Sequence, residues 1–174
     1  MRRFLDRLYL SAGWTSAFII LGMAALISAQ VLLNFATRVF GLPLPSTIPS
    51  YADFSGFMLA AATFLAMPYT LRSGGHIRVS LVTARLPVRV QFWLELVVLA
   101  LSAAFVGYAC WYCSALVLES RHFNDVSNGI IPIPLWIPQS VMSLGMILLW
   151  VSLIDSLVQT FDRGAPVIQH AEEV

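Results

Sequence analysis

Leu71-Arg72-Ser73-Gly74-Gly75-His76-Ile77-Arg78-Val79-Ser80-Leu81 is a short polar break between two long apolar runs. It is rich in arginine and glycine, and it opens the densest stretch of positive charge in the chain. Whichever side of a membrane holds this break holds every second connection, so reading it decides the fold.

Working outward, four runs reach the roughly 20 residues needed to cross a bilayer: about 13–35, 51–71, 90–118 and 135–157. The third is long enough to tilt or to project beyond the lipid. Hydrophobic residues make up 59% of the 174 and charged residues 11%, with mean hydropathy +0.81. Soluble domains carry about 25% charged residues, and a chain of this size could not hide so much apolar surface from water. The fold class expected is therefore all-α, a single four-helix membrane domain over 1–174. Net charge is only +1, and no basic patch interleaves with aromatics, which argues against nucleic acid as a partner.

All ten basic residues are arginine. Arg2, Arg3, Arg7, Arg72, Arg78, Arg85, Arg89 and Arg163 fall on one side of the four-span topology, and Arg38 and Arg121 on the other. Cationic flanks resist translocation, so both termini and the central loop are expected in the cytoplasm. Trp14 and Trp93 then mark cytoplasmic helix ends and Trp111 and Trp136 outer ends, where indoles favour the headgroup layer. Trp150, two turns inside the fourth span, fits this pattern less well. Met1–Ser11 alternates Arg2, Arg3, Asp6 and Arg7 with Phe4, Leu5, Leu8 and Tyr9, which suggests an interfacial amphipathic helix. The run from Gly13 to Phe35 exceeds a signal-peptide core and lacks a clear cleavage site, so it reads as a retained anchor.

Within the spans, Gln30, Asn34 and Arg38 share one face and suggest a hydrogen-bonded seam between helices. Three prolines, Pro43, Pro45 and Pro49, keep the first outer loop from being helical and deliver Asp53 to the start of the second helix. There an acid suits the positive end of the helix dipole, within reach of Arg38. Glu95 lies two turns inside the third span, where a shallow, neutralised or snorkelling carboxylate is expected ahead of a proton relay. Gly22, Gly56 and Gly107 suggest close helix packing. Pro68 suggests a kink in the second helix, and Pro87 a place in the first turn of the third.

Candidate cofactor sites thin out quickly. His76, His122 and His170 lie outside the spans, where none could ligate a haem inside a bundle. Cys110 and Cys113 form a C-x-x-C within the third span, the basis for a competing reading as a small membrane thiol-disulfide oxidoreductase. Such enzymes need a second cysteine pair to relay electrons, and the chain has none. No span combines a Gly/Pro break with several polar ligands, so the chain lacks the marks of its own substrate pathway. No cofactor is expected, with bound phospholipid left open.

Several stretches together resemble the small membrane subunit of tripartite ATP-independent periplasmic (TRAP) transporters, the DctQ-like family. They are Asn34-x-x-x-Arg38-x-Phe40-Gly41, the acid Asp53, Arg72-Ser73-Gly74-Gly75-His76-Ile77-Arg78-Val79 and Ile133-Pro134-Leu135-Trp136. The similarity runs from about Gln30 to Gly145. It implies a non-catalytic inner-membrane protein that scaffolds a large elevator-type permease subunit and helps dock a periplasmic substrate-binding protein. That assembly would take up an organic acid, such as a carboxylate or sialic acid, with sodium. By position, the resemblance assigns partner-binding or structural roles to Asn34, Arg38, Asp53, Gly75, His76, Arg78, Pro134 and Trp136. Arg2, Arg3, Trp14, Trp93 and Trp111 are the expected interface anchors. The sequence departs from the family pattern at Ser80, where an acid is usual, and in the proline-rich segment before Asp53.

Overall fold

The computed structural model describes residues 2–73 and 86–163, and within them four helices: α1 (Arg2–Phe40), α2 (Tyr51–Arg72), α3 (Val88–Phe123) and α4 (Trp136–Arg163). Each is long and apolar enough to cross a membrane. At 1.5 Å per residue the 39-residue α1 is about 58 Å long and the 36-residue α3 about 54 Å, well beyond a hydrocarbon core of about 30 Å.

The sequence explains where the helices stop. Gly41, at φ 59°, takes the left-handed conformation that ends α1 and that a Cβ disfavours. Asn124, at φ 54°, ends α3 in the same conformation, and the Asp125 amide donates to Ser120 O at 3.0 Å. Pro138 sits in the first turn of α4, where a missing N–H costs nothing. Pro87 caps α3 from outside the helix, one position earlier than expected, with its carbonyl accepting from the Val90 and Gln91 amides.

One expectation needs correcting. Residues 2–11 are not set apart as a separate helix; they are the first turns of α1, which runs without interruption to Phe40. Nothing in Ser11-Ala12-Gly13 compels a break, and Tyr9 and Ala12 are buried, so tertiary packing carries the helix through.

The helices form an open row. The extensive contacts are α1 with α2, α2 with α4, and α4 with α3. The last helix in the chain is therefore an inner one, and the edge helices α1 and α3 turn most of their apolar surface outward. The core lies at the α2–α4–α3 contacts: Leu71, Leu99, Ala103, Leu149 and Leu153, flanked by Met67, Val106 and Met146.

Close contacts hold the inner helices. Pro68 has no amide to offer the Phe64 carbonyl four residues earlier. That carbonyl faces Gly145 of α4, where an added Cβ would lie 2.6 Å from Phe64 O. On the other flank of α4, Trp150 fills a notch at Gly107 of α3 and donates Nε1–H to Ala103 O at 3.0 Å. Trp150 is thus a helix-packing residue, which is why it stood apart from the interfacial tryptophans. Gly22 meets Met58 between α1 and α2 as expected, whereas a Cβ at Gly56 would meet nothing within 4 Å among the described residues, so no close contact there calls for glycine.

Candidate functional site

The two ends of the row carry the polar chemistry, and they are built differently. At one end the 41–50 and 124–135 connections meet. Gln30 is buried near this end of α1; its Oε1 accepts from the Ile48 amide at 2.7 Å and its Nε2 donates to Ser46 O at 3.3 Å. The expected seam between helices is instead a tie from α1 to its following loop, because the prolines leave loop backbone groups in need of partners. Asn34 is half-buried and Arg38 exposed. Among the described residues no ion pair joins Arg38 to Asp53.

Asp53 lies under the second connection. A Cβ at Gly129 would collide with its carboxylate and with Ser50 Oγ, so only glycine lets the loop come this close. Ser50, at φ 56°, starts α2, and its Oγ accepts from the Ile131 amide at 2.9 Å. The loop is ordered internally: the Ser127 amide donates to Ile133 O at 2.8 Å, the Leu135 amide to Asp125 O at 3.0 Å, and Val126 bridges Pro134. Trp136 then opens α4, with the Arg121 guanidinium 5.8 Å above its ring. The structure thus gathers Asp53, Pro134 and Trp136 through one loop, with Ser50, Arg121 and Gly129 as supports that the family pattern alone did not single out, while Gln30 holds the neighbouring 41–50 connection.

At the opposite end, where α1 and α3 begin and α2 and α4 finish, the links are charged. Arg72 Nη2 lies 3.3 Å from Asp6 Oδ1 of α1, and Nη1 lies 3.3 Å from Asp155 Oδ2 of α4. The Arg72 and Asp155 side chains are 19% and 18% exposed, and Asp6 is 52% exposed. Tyr9, 1% exposed, sits beside Ser152, Asp155 and Arg72. Glu95 is buried among protein atoms, at 4% exposed, and Thr160 Oγ1 of α4 donates to its Oε1 at 3.5 Å. The inner half of α4 toward this end is lined by buried Ser152, Ser156, Gln159 and Thr160. These small and polar groups match the usual contact surface between helices in lipid.

The remaining expected residues divide simply. Gly75, His76 and Arg78 lie outside the described residues, as do the side chains of Arg2 and Arg3. Trp14, Trp93 and Trp111 face outward from the row. Cys110 and Cys113 are free, half-buried and one turn apart on α3. His122 is exposed at the end of α3, packed edge-on against Phe123. Among the described residues no group of three His, Cys, Asp or Glu side chains converges as a metal site.

Comparison with known proteins adds the identity of this arrangement. Searches of curated proteins and of solved structures each found no match. The family profile described as tripartite ATP-independent periplasmic transporters, DctQ component, matches residues 23–163, which takes in all of α2, α3 and α4 and the second half of α1 from Met23 onward. The chain belongs to the DctQ component family of tripartite ATP-independent periplasmic transporters, as a small permease subunit whose described residues include four helices long and apolar enough to cross a membrane.

Proposed function

We propose that this subunit is a non-catalytic scaffold in the bacterial inner membrane, with both termini and the central loop in the cytoplasm. It widens and anchors the static part of a large elevator-type permease subunit, which holds the substrate and sodium sites. A periplasmic binding protein delivers an organic acid, a carboxylate or sialic acid, to that assembly. The observation that carries the reading is the open row: two inner helices are held on both flanks, while the edge helices leave long apolar faces uncovered. A chain that formed its own transport path would need to enclose it, and a row encloses nothing. The placement of eight arginines on one side supports the orientation. In that orientation the Arg72 end is cytoplasmic, and the Asp53–Gly129–Trp136 end is the surface offered to the binding protein. Bound phospholipid is the ligand suited to the outward apolar faces.

The test is co-purification with a large permease subunit, together with deletion of this chain. Deletion is expected to abolish uptake, and a stable, fully active permease without this chain would overturn the reading. His76→Ala combined with Arg78→Ala is expected to weaken assembly or uptake while leaving topology intact. A Cys110→Ser/Cys113→Ser double variant is expected to transport normally; loss of function there would favour thiol chemistry instead.

A further inference from the structure

The row order poses a problem that the sequence order does not answer. Helices α2 and α3 are consecutive, yet α4, the last in the chain, lies between them. Every span is largely apolar, so lipid solvation alone does little to favour this order over one in which α3 stays against α2. The apolar contacts of the core are non-directional and would be served by several arrangements.

Charge discriminates by sign, and it is placed where the choice is made. Arg72 is the last residue of α2, with Leu71, a core residue, immediately before it. Its guanidinium has two arms, one to Asp155 of α4 and one to Asp6 of α1. The two arms differ: Asp6 is hydrogen-bonded by Arg72 but half in solvent, whereas Asp155 pairs with Arg72 by charge, without a hydrogen bond, and is enclosed to the same degree as it. An ion pair enclosed in protein is screened less than an exposed one, so the Asp155 arm carries most of the selectivity. Another acid at this end, Glu95 of α3, is hydrogen-bonded by Thr160 of α4. Both flanks of α4 therefore carry a polar match to the helix they adjoin.

We propose that Arg72 is the residue that selects the position of the last helix: it receives Asp155, seats α4 against α2 and so displaces α3 to the edge, while Asp6 closes α1 onto the opposite flank. The inference concerns this chain's own helices and holds independently of the transport reading.

The experiment measures the melting temperature of the full-length chain purified from membranes, followed by intrinsic tryptophan fluorescence. Arg72→Gln is expected to lower Tm by roughly 5–10 °C, because it strands an enclosed carboxylate. Arg72→Gln with Asp155→Asn, which removes both charges, is expected to recover at least half of that loss. The exchange Arg72→Asp with Asp155→Arg is expected to do the same. If Arg72→Gln yields no folded protein, recovery of folded yield in the two double variants reads the same way. An unchanged Tm in Arg72→Gln, or no recovery in either double variant, overturns the proposal. So does a larger loss from Asp6→Asn than from Asp155→Asn, which would make α1 the helix that Arg72 selects.

Discussion

The two ends of the row solve one problem with different chemistry. At the loop end, neutral groups hold backbone: Gln30 to Ile48 and Ser46, Ser50 to Ile131, and a glycine pressed against Asp53. At the other end, charged and hydroxyl side chains hold helix to helix: Arg72 to Asp6 and Asp155, and Thr160 to Glu95. Backbone ties fix the path of a connection and tolerate little change of shape. Side-chain pairs fix which helix stands beside which, and can be exchanged in matched sets. The first end is therefore sensitive to volume, the second to charge.

That contrast can be broken in steps. The largest effect belongs to Arg72→Gln, where an enclosed pair is lost; its signature is rescue by a matched change at Asp155. Next is Gly129→Val, for which overpacking against Asp53 and Ser50 should cost about 1–3 kcal/mol. No charge change elsewhere should rescue it, and uptake should fall as the loop is displaced. A rescue by Arg38→Ala would show that charge matters at this end after all. Gln30→Ala removes two hydrogen bonds to the first loop and should cost about 1–2 kcal/mol in a melting experiment. Ser50→Ala leaves the Ile131 amide without its acceptor, at about 1 kcal/mol. Asp6→Asn should cost about 0.5 kcal/mol or less, and that small loss should shrink further at high salt, since the Asp6 arm is the exposed one.

The helices themselves were readable because proline, glycine and arginine bound each apolar run. Their ends fall within two residues of the expected spans at both ends of α2 and at the starts of α3 and α4, whereas α1 begins well before its span and α1, α3 and α4 each continue more than a turn beyond theirs. The side-by-side order was not readable. In a soluble helix the buried face is the apolar one, so periodicity exposes it. Here lipid-facing and protein-facing surfaces are both apolar, and the buried face is marked instead by Ser152, Ser156, Thr160 and Gly145. Those residue types look unremarkable until their neighbours are known. The loop-end site was half legible: the acid at Asp53 and the Pro134–Trp136 entry stood out, but Gly129 took on meaning only when a loop from 76 residues downstream settled onto Asp53. Arg72 was counted as a topology signal because nothing in its local sequence points to acids 66 residues before it and 83 after.

An open row also has mechanical consequences that a closed bundle lacks. Along the helix axes the subunit resists compression, since each helix is a hydrogen-bonded rod. Across the axes it is a sheet of rods joined edge to edge, soft to curling, with its hinges at the helix contacts and its two ends laced by different fasteners. Such a plank can follow the curvature of whatever lies against its broad faces without changing its own length.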